Sequence, residues 1–179
     1  MMKISGELVD LCEAGMIKII LVLIVVGGFW YVGFGIASHY KKRDEFFAGL
    51  LSLCDKVRAD IDFSGKNLAA IFGGQKLCGA TGRLVENYCE YLKNKDLELS
   101  SKQLFRGIWI LKDEEKNVIL DFFSRLGRHD SDNEVKLIDD FKNLIEPLSK
   151  ISNEEKNKYG KMSVKISFLL GLMIAILIV

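Results

Sequence analysis

Two apolar runs bracket a charged middle in this chain. Residues 19–37 carry no charge, are rich in Ile, Val, Leu and Gly, and include Phe29, Trp30, Tyr31 and Phe34. As a helix they cover ~28 Å, about the thickness of a bilayer hydrocarbon core. Residues 166–179 form a shorter run, ~21 Å long. If its helix begins at Met162 and Lys165 turns its ammonium toward the interface, the span grows to ~27 Å. The pattern therefore predicts transmembrane helices over residues 17–38 and 162–179.

Between the runs, apolar residues recur at three- and four-residue intervals, with a single proline and no sustained alternation. That is the period of helices. Phe46, Phe47, Leu50, Cys54, Val57 and Ile61 share one face, so the first membrane helix is expected to continue outward as an amphipathic one until Ser64 and Gly65 end it. A short helical turn around Leu68, Ile71 and Phe72 precedes the loop from Gly73 to Gly79. Thr81 is a candidate cap for a helix to Lys95 bearing Leu84, Val85, Tyr88, Cys89 and Leu92. Ser100 with Gln103 reads as a capping box for a helix burying Leu104, Ile108 and Leu111.

Asp113 is the expected cap of a helix carrying Ile119, Phe122, Phe123 and Leu126, with Gly127 at its left-handed end. Ser131 with Glu134 reads as a second capping box. From there Leu137, Phe141, Leu144, Leu148 and Ile151 alternate by four and three, a seam suited to packing along another helix, most simply within the domain's own core. Pro147 lies inside the seam and predicts a kink or a break, with helix resuming near Asn153 and leading into the second span. The fold expected is all-α: about six helices bundled over residues 39–161 between two membrane stems.

The first fifteen residues, with Glu7, Asp10 and Glu13 against Lys3, resemble neither a signal n-region nor a structured element. Met16, followed by Ile17 and Lys18, makes a more natural start than Met1 or Met2, so residues 1–15 are expected to be disordered or a mis-assigned N-terminus. A cleaved secretory signal is disfavoured, because the apolar run is long for one and Lys41, Lys42 and Arg43 after a Gly35/Ala37 site resist translocation.

Charge sharpens this picture. The chain has 25 basic and 24 acidic residues, 27% charged in all, yet 49% of it is hydrophobic and its mean hydropathy is +0.17. The excess apolar residues are those of the two stems. His39, Lys41, Lys42 and Arg43 follow the first span, and Lys156, Lys158, Lys161 and Lys165 precede or open the second. Cations at both inner flanks put the intervening domain in the cytoplasm. A net charge of +1 argues against a nucleic-acid partner.

Catalytic chemistry is hard to find. Cys12, Cys54, Cys78 and Cys89 show no paired short spacing and His39 and His129 stand far apart, so neither a zinc site nor a disulfide framework is indicated. Cys54 and Cys89 read as small apolar core residues. The glycines of 73–82 lack the Gly-Lys-Ser/Thr of a P-loop. Asp139-Asp140 and Glu154-Glu155 lie in charge-mixed, solvated faces, and His129-Asp130 reads as a loop beside a helix cap. No catalytic residue, metal or cofactor is expected. Contact potential lies in the stems: Ser163, Ser167, Gly171 and Ala175 recur every four residues and Gly27, Gly28, Gly33 and Gly35 lighten the first stem, which suits stem-on-stem packing or a membrane partner.

In the last fifty residues the sequence Leu126-Gly127-Arg128-His129-Asp130, the amphipathic helix after it, Lys158-Tyr159-Gly160-Lys161-Met162 and the Leu169-Leu170-Gly171-Leu172 tail resemble the stage III sporulation protein AB family. The Met16-Ile17-Lys18 opening and the basic exit at residues 39–43 resemble that family's N-terminus. His129 stands where the family often has Ser or Thr, and Glu134 where Gln is frequent. Leu126, Gly127, Asp130, Glu134, Tyr159, Gly160 and Lys161 are thereby the motif positions and candidate contacts.

The resemblance implies a component of the apparatus linking mother cell and forespore during endospore formation, similar to the cytoplasmic domains of type II secretion F proteins. By that analogy it is a non-enzymatic scaffold in the mother-cell membrane, engaging a secretion-type ATPase encoded beside it and the channel proteins, with self-association open. A small two-span sensor or regulator, with the loop 73–82 as ligand site, is the alternative.

Overall fold

The computed structural model describes residues 2–64, 71–72, 79–93, 99–128 and 130–178, and side chains from residue 16 onward except 62–64. Among the described residues six α-helices follow one another: α1 (Met2–Ser64), α2 (Gly79–Lys93), α3 (Ser101–Leu104), α4 (Asp113–Arg125), α5 (Ser131–Glu155) and α6 (Lys161–Ile178), with a π-helical turn, Lys156–Gly160, between the last two. The fold is the all-α one expected. Contacts divide the chain into two units, Met1–Tyr40 with Lys156–Val179, and Lys41–Glu155.

The first unit holds the stems. α1 is helical from Met2, so the backbone of residues 2–15 continues the stem, although those residues suggested no structured element; no proline interrupts them. Two helices are long and apolar enough to cross a membrane among the described residues. Their lipid-length stretches leave Ile19, Ile20, Leu23, Ile24, Phe34, Leu169, Met173, Ile176 and Leu177 exposed, as a bilayer-facing surface requires.

The second unit is built on one core. Phe46, Phe47, Leu50, Cys54 and Val57 of α1 are buried as their spacing predicted, with Leu84, Val85 and Tyr88 of α2 and Ile119, Phe122 and Phe123 of α4. An aromatic chain runs through it: Tyr88 and Phe123 lie 4.7 Å apart between ring centroids, and Phe122 stacks on Phe141 of α5 at 3.8 Å. Ile71 and Phe72 are helical and buried. Leu68 and the loop 73–78 lie outside the described residues.

Local chemistry moved several boundaries. α2 begins at Gly79, so Thr81 is inside the helix and not its cap; buried, it donates its hydroxyl to the Phe46 carbonyl at 3.2 Å. α1 comes close enough at Gly49 that an added Cβ there would meet Thr81 Oγ1 at 2.6 Å. Ser100 does cap α3, accepting the Lys102 N–H, but that helix is a single turn. Gly107, at φ +76, turns the chain into an irregular segment in which Ile108, Ile110 and Leu111 are still buried. α4 is entered through Lys112, with Asp113 already in its first turn, and the Glu115 carboxylate accepts the Lys112 N–H at 2.9 Å.

α5 corrects the seam. Its buried row is Glu134, Ile138, Phe141, Ile145 and Ser152, with Leu137 and Leu148 packed at its edge. Leu144 is 60% exposed and Ile151 47%, so the heptad drawn from Leu137 runs off the core. Pro147 neither breaks nor ends the helix, which continues to Glu155. Pro147 and Asn143 are both exposed, so the carbonyl deprived of its bond faces water.

Candidate interaction surface

Four of the family-motif positions, Leu126, Gly127, Asp130 and Glu134, meet at the turn between α4 and α5. Gly127 adopts φ +85, a conformation that costs an L side chain roughly 1–2 kcal/mol. Its N–H donates to Glu134 Oε1 at 2.8 Å. Glu134 is buried and reaches back to Gly127 instead of folding onto Ser131, so the expected capping box is replaced by a longer clasp that closes the turn. Leu126 is buried, and its carbonyl accepts the Tyr88 hydroxyl at 3.4 Å. Burial pushes the Tyr88 phenol up, with Tyr91 and Glu134 adding to it. Asp130 remains exposed, accepting the Asn133 side-chain amide, and its carbonyl accepts the Glu134 N–H at 2.9 Å. His129 lies outside the described residues.

The second motif, residues 158–162, falls on the π turn and the start of α6. Gly160 is buried, whereas Tyr159 and Lys161 are exposed. Tyr159 packs its ring 5.9 Å from that of Tyr40 and carries the Lys158 ammonium 5.3 Å over its face. Its carbonyl accepts the Ser163 hydroxyl at 2.6 Å.

Along α6, Ser167, Gly171 and Ala175 are buried and Ser163 half-buried. They face the other stem. A Cβ on Gly33 would lie 2.8 Å from Ser167 Cβ, and one on Gly171 would lie 3.1 Å from Phe29 Cβ. Gly27, Gly28 and Gly35 meet nothing within 4 Å, so only Gly33 of the four stem-one glycines serves this approach. Close backbones between apolar helices gain dispersion contacts that lipid chains cannot match.

Sequence spacing missed two features. Arg43, grouped with the basic exit, is buried and donates to Glu115 Oε1 at 2.6 Å, with Glu155 Oε2 at 3.5 Å; Asp44 beside it accepts the Asn153 amide at 3.0 Å. Glu155 is therefore half-buried and paired, unlike the solvated carboxylate expected, and Asp139 pairs with Arg58. The signal was available: Arg43 precedes Phe46 and Phe47 by three and four, on the buried stripe. The second is a cleft of about 520 Å³ lined by Lys42, Phe46, Thr81, Arg83 and Trp109.

No group of three or more His, Cys, Asp or Glu able to hold a metal occurs among the described residues. Cys54 and Cys89 are free thiols. Buried polar side chains there serve helix contacts: Arg43 with Glu115, Asp44 with Asn153, Thr81 with Phe46, Glu134 with Gly127, and Ser152 with the Ser149 carbonyl at 2.9 Å.

No curated protein and no solved structure matches the chain. The model of the family described as stage III sporulation protein AB matches residues 18–179, from the first stem to the last residue. With that match over both stems and the helical domain between them, the chain belongs to the stage III sporulation protein AB family and is a two-span membrane protein of sporulation.

Proposed function

We propose that the protein is a non-enzymatic platform in the mother-cell membrane, a scaffold of the secretion-like apparatus that links mother cell and forespore, on which a secretion-type ATPase and the channel proteins assemble. The observation that carries this reading is the use of the interior. Among the described residues the buried charged groups are engaged in structural contacts, Arg43 with Glu115, Asp44 with Asn153 and Glu134 with the Gly127 N–H, and no cluster able to hold a metal occurs. Such an interior suits a body that holds its shape while others bind it.

The motif positions divide accordingly. Leu126, Gly127 and Glu134 shape the α4–α5 turn, Gly160 is buried in the π turn, and Ser163, Ser167, Gly171 and Ala175 close one stem on the other. The exposed Asp130, Tyr159 and Lys161 are the contacts we assign to partners. A tagged, detergent-solubilised full chain recovered from sporulating cells should bring down the ATPase and channel proteins, and Asp130→Ala with Lys161→Ala should lose them at unchanged membrane levels. Normal expression with neither class recovered overturns the platform.

A further inference from the structure

Trp109 is 67% exposed while Ile108, Ile110 and Leu111 on either side are 5–6% exposed. The arrangement is held, not loose: Gly107 turns the chain at φ +76, the Arg83 guanidinium donates to the Gly107 carbonyl at 3.3 Å, and the flanking isoleucines insert into the core. An indole thus stands out from a fixed segment of a charged domain, at the rim of the cleft lined by Lys42 and Arg83.

Its neighbour gives its surroundings. The Lys42 ammonium lies 5.8 Å over the Trp109 ring, and Lys42 follows the apolar run ending at Ala37 by five positions of sequence, at most ~18 Å of chain. Chain connectivity alone therefore keeps Lys42, and the indole it covers, near the headgroup layer. Trp is the side chain whose apolar body and N–H suit that layer best, and Lys and Arg beside it suit anionic lipid. Lys42 and Arg83 are the cations that line the cleft with Trp109, and Glu45, which also lines it, faces Lys41 at 3.7 Å.

We propose that Trp109, flanked by Lys42 and Arg83, is an interfacial anchor by which the cytoplasmic domain contacts anionic lipid headgroups. The test uses the full chain in nanodiscs of anionic lipid, with Trp30→Phe so that Trp109 is the sole indole. Lipid brominated high on its acyl chains should remove roughly half or more of the emission, as expected for an indole at the interface. Acrylamide should quench it weakly, and Lys42→Gln with Arg83→Gln should shrink the loss to brominated lipid. If Trp30→Phe prevents insertion, the difference between the unsubstituted chain and Trp109→Phe isolates the same signal. Emission indifferent to brominated lipid and freely quenched by acrylamide, or shielded only once a partner protein is added, overturns the anchor.

Discussion

The guanidinium of Arg43 and the carboxylate of Glu115, 72 positions apart in sequence, meet at 2.6 Å with both side chains only 6% exposed. One carboxylate oxygen holds the arginine while the other accepts the Lys112 N–H that opens α4. Arg43 in turn faces Glu155 near the end of α5 and lies 5.5 Å over the Phe47 ring. A single cation thereby joins α1, the N-terminus of α4 and the C-terminus of α5, and an anion at a helix N-terminus is favoured by the helix dipole.

Removing one member of such a pair leaves the other charge buried and uncompensated. Arg43→Met should destabilise the domain by about 3 kcal/mol or more, measured by urea unfolding of the full chain in micelles followed by circular dichroism. Arg43→Met with Glu115→Gln should recover much of that loss, because glutamine keeps an acceptor for Lys112 without the charge. Equal loss in the single and double variants would show that the ion pair is not what is being measured.

Cys54 offers a test of core closure. Burial pushes its thiol from 9.0 up to about 12, with Asp55 adding to the shift. The thiolate is the reactive form, so in folded protein near pH 8 maleimide should label Cys54 at least ~10-fold more slowly than after unfolding, with labelled peptides resolved by mass. The same shift has a sign in stability. Below the unfolded-state value both states keep the proton and the contribution is full; as pH rises toward the folded value, the unfolded chain loses its proton first and stability falls. Burial of Tyr88 works in the same direction.

The apolar stripes of α1, α2 and α4 were legible because every third or fourth residue there is hydrophobic and faces one core. The α5 stripe was not, because its buried row begins at Glu134 and ends at Ser152, both polar. An apolar pattern starting from Leu137 locks onto a seven-residue repeat, and a straight helix drifts ~20° per heptad against that repeat, carrying Leu144 and Ile151 outward. Arg43 was hidden for a related reason, since a cation after a membrane span has a ready explanation in topology. Phe105, Ile108, Ile110 and Leu111 are buried from a segment without helical periodicity, turned at Gly107, and period-based reasoning assigns such a stretch to a helix.

Pro147 tests how α5 tolerates its interruption. The ring withholds one N–H from the Asn143 carbonyl, and both residues face solvent. Pro147→Ala should restore that bond at no cost in packing. The helix gains up to ~3 kcal/mol from losing proline, offset by ~1 kcal/mol of added freedom in the unfolded chain. A net stabilisation of about 1–2 kcal/mol is expected, seen as a higher unfolding temperature. No gain, or a loss, would mean that the proline ring makes a contribution of its own to the fold.

The stems allow a paired comparison between two glycines of one helix. At Gly33 an added Cβ would lie 2.8 Å from Ser167 Cβ and 3.2 Å from the Ser163 carbonyl oxygen, whereas at Gly28 it would meet nothing within 4 Å. The Ser163 carbonyl belongs to the helix backbone and can yield only if α6 moves. Gly33→Val should therefore force the stems apart and destabilise their pairing by about 1–3 kcal/mol, read as a lower temperature of heat-induced aggregation in micelles. Gly28→Val, of equal hydrophobicity and bulk, should leave that temperature unchanged. Ser167→Gly should rescue Gly33→Ala by vacating the space the new methyl needs. A rescue distinguishes loss of this contact from a general defect in membrane insertion, which removing a hydroxymethyl group from the opposite stem would not repair.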